Sequence, residues 1–286
     1  SGALDGFSLR VANLLVDNGE NEAALEITLP GFSARVCCDL AAAATGGDLG
    51  LQRNGQPVAA WCSHRLQAGD VLSFNELRTG CRAYLALGGG VHVPPVMGSR
   101  STNLSSGFGG YKGRALRAGD VLQSTDPSVH LHASGRIFDI NSTPLQDGCR
   151  DLRVVLGPQD HHFGETAIIT FLNEWYEVSP QSDRTGIRLR GPTVAANEDR
   201  AESIVSEGLV AGAIQVPGDG QPIIILRETV SGGYRKIAVV VSADLPLLGQ
   251  LLPGDRIRFQ AVSIREARRA LWRREQVIAR FRDSLV

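Results

Sequence analysis

The chain has 286 residues, a length that fits two modest domains with separate cores, and a formal net charge of −1, which gives no global pull toward nucleic acid or an anionic membrane. With 43% hydrophobic and 21% charged residues it has the composition of an ordinary soluble protein, and no apolar run is long enough to span a bilayer. Its 33 glycines and 13 prolines, set among Val/Ile/Leu runs, point to β structure with many turns.

In chain order, Phe7, Val11, Leu14 and Leu15 recur at helical spacing, so the opening stretch reads as an amphipathic helix ending near Asp17-Asn-Gly19. Short strands are expected over Ala24–Leu29, Ser33–Cys37, the run before Arg53-Asn-Gly-Gln-Pro57, and Val71–Phe74, with Asn54-Gly55 as a hairpin signal. Cys81–Leu87 is a strand that runs into Gly88-Gly-Gly90. From Val91 to Arg114 the chain turns to Pro, Gly and Ser and reads as a long loop. Residues 124–150 are polar and read as a linker. Beyond them, Arg153–Leu156 is a strand and Gly164–Asn173 a helix, and Glu177–Arg190 holds strands around a turn. Ile204–Gly208 and Ala213–Val216 lead into the Pro217-Gly-Asp-Gly-Gln-Pro222 turn, and Ile223–Leu226 and Ile237–Val241 follow as buried strands. Ser263 and Glu266 form a capping box that opens a last helix, whose seven arginines between Arg265 and Arg282 mostly avoid its apolar line. A solvated face is the simpler reading of them.

An internal repeat is visible as well. Gly6–Arg10, Glu26–Gly31, Thr45–Gly47 and Leu66–Phe74 find echoes in Gly186–Arg190, Ala213–Gly218, Ser231–Gly233 and Leu251–Phe259 in the same order, and Arg117–Leu122 carries the Gly-Asp turn a third time. Ordered matches at nearly constant separation imply a duplicated module. The expectation is that Ala24–Phe74 and Gly212–Phe259 share their strands, with Gly69 and Gly254 at equivalent turns. Strand-and-helix pattern precedes the second copy and nothing precedes the first, so the chain is expected to begin inside its first domain.

Five cysteines without a Cys-x-x-Cys read as buried thiols of a reducing cytoplasm, and the histidine pairs His130/His132 and His161/His162 lack ligand company, so no metal is expected. Nucleophile-elbow, Walker and dinucleotide signatures are absent, and Gly107-Phe-Gly-Gly110 is a weak phosphate signal. What remains is a set of loops dense in small polar groups: Gly98-Ser-Arg-Ser-Thr102, Ser182-Asp-Arg-Thr-Gly186, Ser206-Glu-Gly208, and Glu228-Thr-Val-Ser-Gly-Gly-Tyr234, together with Gln215 and Gln221. Glycine lets backbone N–H groups approach a ligand, and Ser, Thr and Arg donate to anionic or amide oxygens. Turns held by their own side chains are the competing explanation.

Several strings resemble the second subunit of the allophanate-hydrolase/urea-amidolyase-related family. They include Cys81–Gly90, Val93–Thr102, Gly109–Asp120, Ser182–Leu189, Ser206–Gly208, Gly212–Pro217, Asp219–Pro222 and Gly232–Tyr234, and the resemblance covers Ser1–Gln260. Members begin with a Gln-Asp-x-Gly-Arg segment that is missing ahead of Ser1-Gly-Ala-Leu-Asp5, and they favour Asp-x-x-Thr-Thr-Gly-Gly where this chain has Arg227-Glu-Thr-Val-Ser-Gly-Gly233. The resemblance implies a mainly β protein with a few helices, built from two duplicated cyclophilin-like β-barrel domains, here 1–125 and 150–286, the second with the C-terminal helix.

It also implies a cytoplasmic component of an ATP-dependent 5-oxoprolinase, which opens 5-oxo-L-proline to glutamate after ATP activates the lactam oxygen. Its expected partners are a first subunit of similar fold and a lactam-utilisation protein, with ATP bound by one subunit or the other. The alternatives are a component of a urea-amidolyase-type carboxyltransferase or allophanate hydrolase, and a non-catalytic antagonist of a kinase inhibitor. Met97 is the sole methionine, so there is no Met-Lys-Met biotinylation site and biotin would have to come on another chain. The expected groove lies on the second domain, with Asp183, Arg184 and Gln215 as catalytic candidates and Ser182, Gln221, Glu228, Ser231 and Tyr234 as substrate-binding ones. Arg100 and Thr102 are expected to reach in from the first domain, and the arginines to serve a carboxylate or phosphate.

Overall fold

Asp5 starts the first helix in the computed structural model, which describes residues 2–140, 151–197 and 203–285. Its carboxylate accepts from the Ser8 N–H at 2.9 Å and from Ser8 Oγ at 2.6 Å, capping α1 (Gly6–Leu15). The apolar positions read from the sequence, Phe7, Val11, Leu14 and Leu15, are all buried on one face. Each such side chain contributes about 1.5–3 kcal/mol relative to exposure. The Asp5 N–H donates to Tyr84 Oη at 2.8 Å, and that hydroxyl donates to Glu26 Oε2 at 2.8 Å, tying the helix start to the sheet beneath it.

Eight strands follow: β1 (Leu25–Thr28), β2 (Phe32–Arg35), β3 (Leu40–Asp48), β4 (Leu51–Arg53), β5 (Gln56–Pro57), β6 (Ser63–Leu66), β7 (Val71–Phe74) and β8 (Thr79–Leu87). They form two four-stranded sheets, ordered β1-β8-β3-β6 and β2-β7-β4-β5. One apolar core lies between them, with Ile27, Ala42, Ala44, Leu66 and Leu85 from the first sheet and Leu51, Leu72 and Phe74 from the second. Asn54 and Gly55 turn the β4–β5 hairpin with φ of 52° and 78°, the double positive φ of a type I′ turn, which is why Asn-Gly occupies it. Residues 91–114 have no helix or strand, as their composition implies.

The polar stretch that reads as a linker belongs in part to this first unit. Ser63 Oγ donates to the Ala133 carbonyl at 2.6 Å, and the Phe138 N–H donates to the Trp61 carbonyl at 2.9 Å. Phe138 is buried against Phe7, Trp61 and Phe281. One aromatic anchors a segment whose average polarity hides it. The remainder of that linker, 141–150, with Cys149, lies outside the described residues.

The second unit contains β9 (Asp151–Leu156), α2 (Glu165–Asn173), β10 (Tyr176–Val178), β11 (Gly186–Arg190), β12 (Ser203–Gly208), β13 (Ala213–Val216), β14 (Ile223–Ile225), β15 (Ser231–Val240), α3 (Leu245–Leu248) and β16 (Arg256–Ala261). Seven of these strands close a ring, β15-β13-β14-β11-β10-β16-β9 and back to β15, while β12 hangs on β15 outside it. Within the ring only β16 and β9 run parallel. Leu152, Tyr176, Leu189, Ile214, Ile224 and Phe259 are fully buried, and α2 packs Phe171 onto Phe259 with ring centroids 4.5 Å apart.

The capping box forms as read: Glu266 Oε2 accepts from the Ser263 N–H at 2.8 Å, and Ser263 Oγ accepts from the Glu266 N–H at 3.3 Å, opening α4 (Ile264–Asp283). The chain divides into Ser1–Thr143 with Ile278–Val286, and Pro144–Val277. The end of α4 therefore groups with the first unit, whereas the sequence reading assigns the whole helix to the second.

The protein is mainly β with four α-helices among the described residues. The repeat, however, does not hold strand for strand. Gly6–Arg10 lies in helix α1 while its echo Gly186–Arg190 is strand β11. β1 pairs with β8, whereas its echo β13 pairs with β14 and β15. What does recur is the Gly-Asp turn. Gly69 and Gly254 have φ of 98° and 89°, and their N–H groups donate to Val36 and Val178 carbonyls at 2.8 and 2.9 Å. Asp70 and Asp255 each accept the N–H three residues back, from Gln67 at 2.7 Å and Leu252 at 2.9 Å. Asp120 repeats the bond to Arg117 at 2.7 Å. Turn chemistry repeats because the same backbone needs the same residues; the flanking pairing is set elsewhere.

Candidate active site in the second β unit

The polar strings singled out in the sequence converge on two places in the second unit. The first is the turn before β11. Asp183 Oδ1 accepts from the Thr185 N–H at 2.7 Å and the Gly186 N–H at 3.2 Å, so its carboxylate holds the turn. Ser182 Oγ accepts from the Arg188 N–H at 3.0 Å. Arg184 reaches the largely buried Glu228, Nε to Oε1 at 3.4 Å, and the Glu228 N–H donates to the Arg184 carbonyl at 3.3 Å. Thr229 Oγ1 adds a bond to the Thr185 carbonyl at 3.2 Å. The Arg184 and Glu228 loops are thus held together by both main chain and charge.

The second place is β15 and its two neighbours. Ser231-Gly-Gly-Tyr234, expected as loop, is the first part of this strand, and the register pairs Glu207 with Gly232 and Ser203 with Tyr234. On the other side the register slips between Ile214↔Ala238 and Gln215↔Lys236, leaving Ile237 as the extra residue of a β-bulge. Bulges re-aim side chains, and this one sets Gln215 opposite Lys236. Gln215 is 4% exposed and its Nε2 donates to the Tyr234 carbonyl at 3.3 Å. A Cβ on Gly232 would stand 2.8 Å from that nitrogen, so the bare glycine is what admits the amide. Tyr234 and Ser231 themselves face solvent.

Lys236 is 5% exposed, and sequence reasoning missed it because nothing local distinguishes it from the apolar run that follows. Its Nζ pairs with Glu207 Oε1, which also accepts from Gln159 Nε2 at 2.9 Å. Gln159 Oε1 in turn accepts the Lys236 N–H at 3.0 Å. The Lys236 ammonium, and then the Gln159 amide, hold the Glu207 carboxyl below its ordinary range. Gln159, Glu207 and Lys236 are thus joined by hydrogen bonds and charge, and Gln215 completes this polar cluster by its register opposite Lys236. Such a set can recognise an amide edge and an anionic oxygen.

Other expected residues have local contacts of their own. Gln221 closes on Gly191, accepting its N–H at 2.9 Å and donating to its carbonyl at 3.1 Å, a pair of hydrogen bonds that fastens two loops. In the first unit Arg100 pairs with Glu22 at 3.2 Å. Thr102 packs against Gly110, where a Cβ would overlap its hydroxyl. No cluster of metal-ligating residues is found among the described residues.

A sequence profile described as carboxyltransferase domain, subdomain A and B, matches residues 1–261. The chain belongs to this carboxyltransferase A/B family. Its similarity to the C subunit of Escherichia coli 5-oxoprolinase is 38% identity over 275 residues, covering 94% of this chain and 84% of that one. The corresponding protein of Haemophilus influenzae is 34% identical and is also covered over 84% of its length. Urea amidolyase of Saccharomyces cerevisiae is 34% identical, but the chain spans 15% of it. Among solved structures, urea amidolyase of K. lactis aligns over 98% of this chain and 18% of its own, with a TM-score of 0.91 and 32% identity. For the family member described here, these matches set the fold.

Proposed function

We propose that this chain is the C subunit of a 5-oxoprolinase, the hydrolase that opens 5-oxo-L-proline to L-glutamate with ATP. The observation that carries the reading is the match in extent: 84% of the C subunit of E. coli 5-oxoprolinase is covered at 38% identity. Urea amidolyases share only the segment equivalent to this chain, 16% of the Lachancea kluyveri protein. The polar cluster suits the substrate class. A cyclic amide with a carboxylate presents an N–H, a carbonyl and an anion, which Gln215, Gln159 and Lys236 complement.

The ATP site belongs on a partner subunit in this reading. Gly109, Gly110 and Gly113 have positive φ, but the space a Cβ would need is filled by Ser101, Thr102 and Gly107 of the same loop. Those glycines allow the loop to fold on itself, which accounts for them without a phosphate. The work of this chain is then to bind and orient the lactam acid and to exclude water from the amide until the partner engages. That partner is a first subunit of the same fold family, joined by a lactam-utilisation protein, in the cytoplasm.

The test is 5-oxoproline-dependent ATP hydrolysis by the co-expressed subunits. Turnover in the complex and none in this chain alone is the expected result. Carboxylation of an amide or urea by carboxybiotin carried on another chain, with no lactam opening, would instead favour the carboxyltransferase reading, which the urea amidolyase structure supports.

A further inference from the structure

The pairing of Lys236 with Glu207 is uneven. Lys236 is buried, with 6% of its side chain exposed, whereas Glu207 is 45% exposed on β12, the strand outside the closed ring. β12 is held to the unit by its ladder with β15, and that ladder is irregular between Ser203 and Glu207. A buried ammonium needs an anionic partner, because leaving it unpaired out of water is costly. A half-exposed carboxylate on an outer strand can return to water at little cost. Gln159 bonds the same carboxylate oxygen that pairs with the ammonium, and the register sets Gln215 opposite Lys236, its amide seated over the bare Gly232.

From this juxtaposition we propose that Glu207 is an internal stand-in for a ligand anion: a carboxylate or phosphoryl group displaces it from Lys236, and Glu207 swings into solvent as the ligand enters. The inference rests on the 5-oxoprolinase reading for the identity of the carboxylate, but the exchange itself does not. It assigns Lys236 to ligand binding and Glu207 to competition with the ligand, so the two members of one ion pair have opposite effects when removed. A merely structural pair would lose function at either member.

Binding to the full chain and to its co-expressed complex is measured with three probes: 5-oxo-L-proline, 2-pyrrolidone (the same lactam without the carboxylate) and inorganic phosphate. Glu207→Gln keeps the shape and the bond to Gln159 but removes the competing charge. It should tighten the binding of one anionic probe about two- to fivefold, the range of a partly exposed ion pair, and leave 2-pyrrolidone unchanged. Lys236→Met, of similar volume, should abolish binding of that same anion while thermal unfolding stays cooperative. Tightening for 5-oxo-L-proline identifies the substrate carboxylate, and tightening for phosphate identifies a phosphoryl group. Glu207→Gln that weakens binding of both anions, or leaves both unchanged, overturns the proposal. Absence of 5-oxoproline turnover in the wild-type complex would instead remove the functional reading, and the phosphate arm would still decide the exchange.

Discussion

Asp183, Arg184, Gln215 and Gln221 all looked like groove residues in the sequence, and at the residue scale they separate. Asp183 and Gln221 use their polar atoms to hold turns and loops, whereas Arg184 meets the Glu228 carboxylate and Gln215, bonded to the Tyr234 carbonyl, lies opposite Lys236. Arg184→Ala and Gln215→Ala should each lower turnover of the assembled enzyme at least tenfold, about 1.4 kcal/mol in the transition state, with assembly intact. Asp183→Asn, which can still hold the turn, should keep most activity. Gln221→Ala should lower the unfolding midpoint without a comparable loss of turnover; parallel kinetics and denaturation curves check all four. Acid stability is a residue property too. The Gln67 N–H, then Arg53 and Asn54, lower the Asp70 pKa to about 2. Because this folded value lies below the unfolded one of about 3.9, Asp70 adds stability above that pH and the contribution disappears as pH falls toward 2. Asp70→Asn should flatten the fall in stability between those values, measured by urea denaturation across acid pH.

Elements show where a sequence can be read and where it cannot. Helix α1 was legible because Phe7, Val11, Leu14 and Leu15 declare a face and Asp5 a cap, and the β4–β5 hairpin because Asn54-Gly55 suits almost no other turn. The start of β15 was not. Ser231-Gly-Gly233 carries turn chemistry, and only its ladder to β12, distant in sequence, makes it strand. The bulge that sets Gln215 opposite Lys236 leaves no local trace either, so half of the polar cluster was invisible. Gly232 lies outside the left-handed region, so alanine can adopt its backbone conformation; the obstacles are two side-chain ends, the Gln215 amide and Leu209 Cδ1. Gly232→Ala should therefore fold with near-normal stability while raising KM or lowering kcat severalfold, as steady-state kinetics of the complex beside a thermal melt will show. A large loss of stability would mean that the glycine serves the strand rather than the amide.

At the scale of the whole molecule, the family match covers residues 1–261, and α4 begins after it. The curated relatives it resembles over most of their length are named as subunits, and a stable complex with a first subunit should follow. Co-expression should give one hetero-oligomeric peak at micromolar concentration, through an interface above roughly 1,000 Å². Two separate monomer peaks would count against the proposed assembly.

The closed ring of the second unit has one more consequence, for how the protein opens. A ladder joined end to end offers no outer strand from which to unzip, since β9 is bonded on both sides, to β16 and to β15. Amide protons of the seven ring strands should therefore exchange with deuterium together, at the rate of global opening of that unit. The first unit ends its sheets at β1, β6, β2 and β5, which should exchange earlier and singly. β12, hung on the outside of the ring, should exchange fastest of the second unit's strands, and its protection should change when an anion takes the place of Glu207.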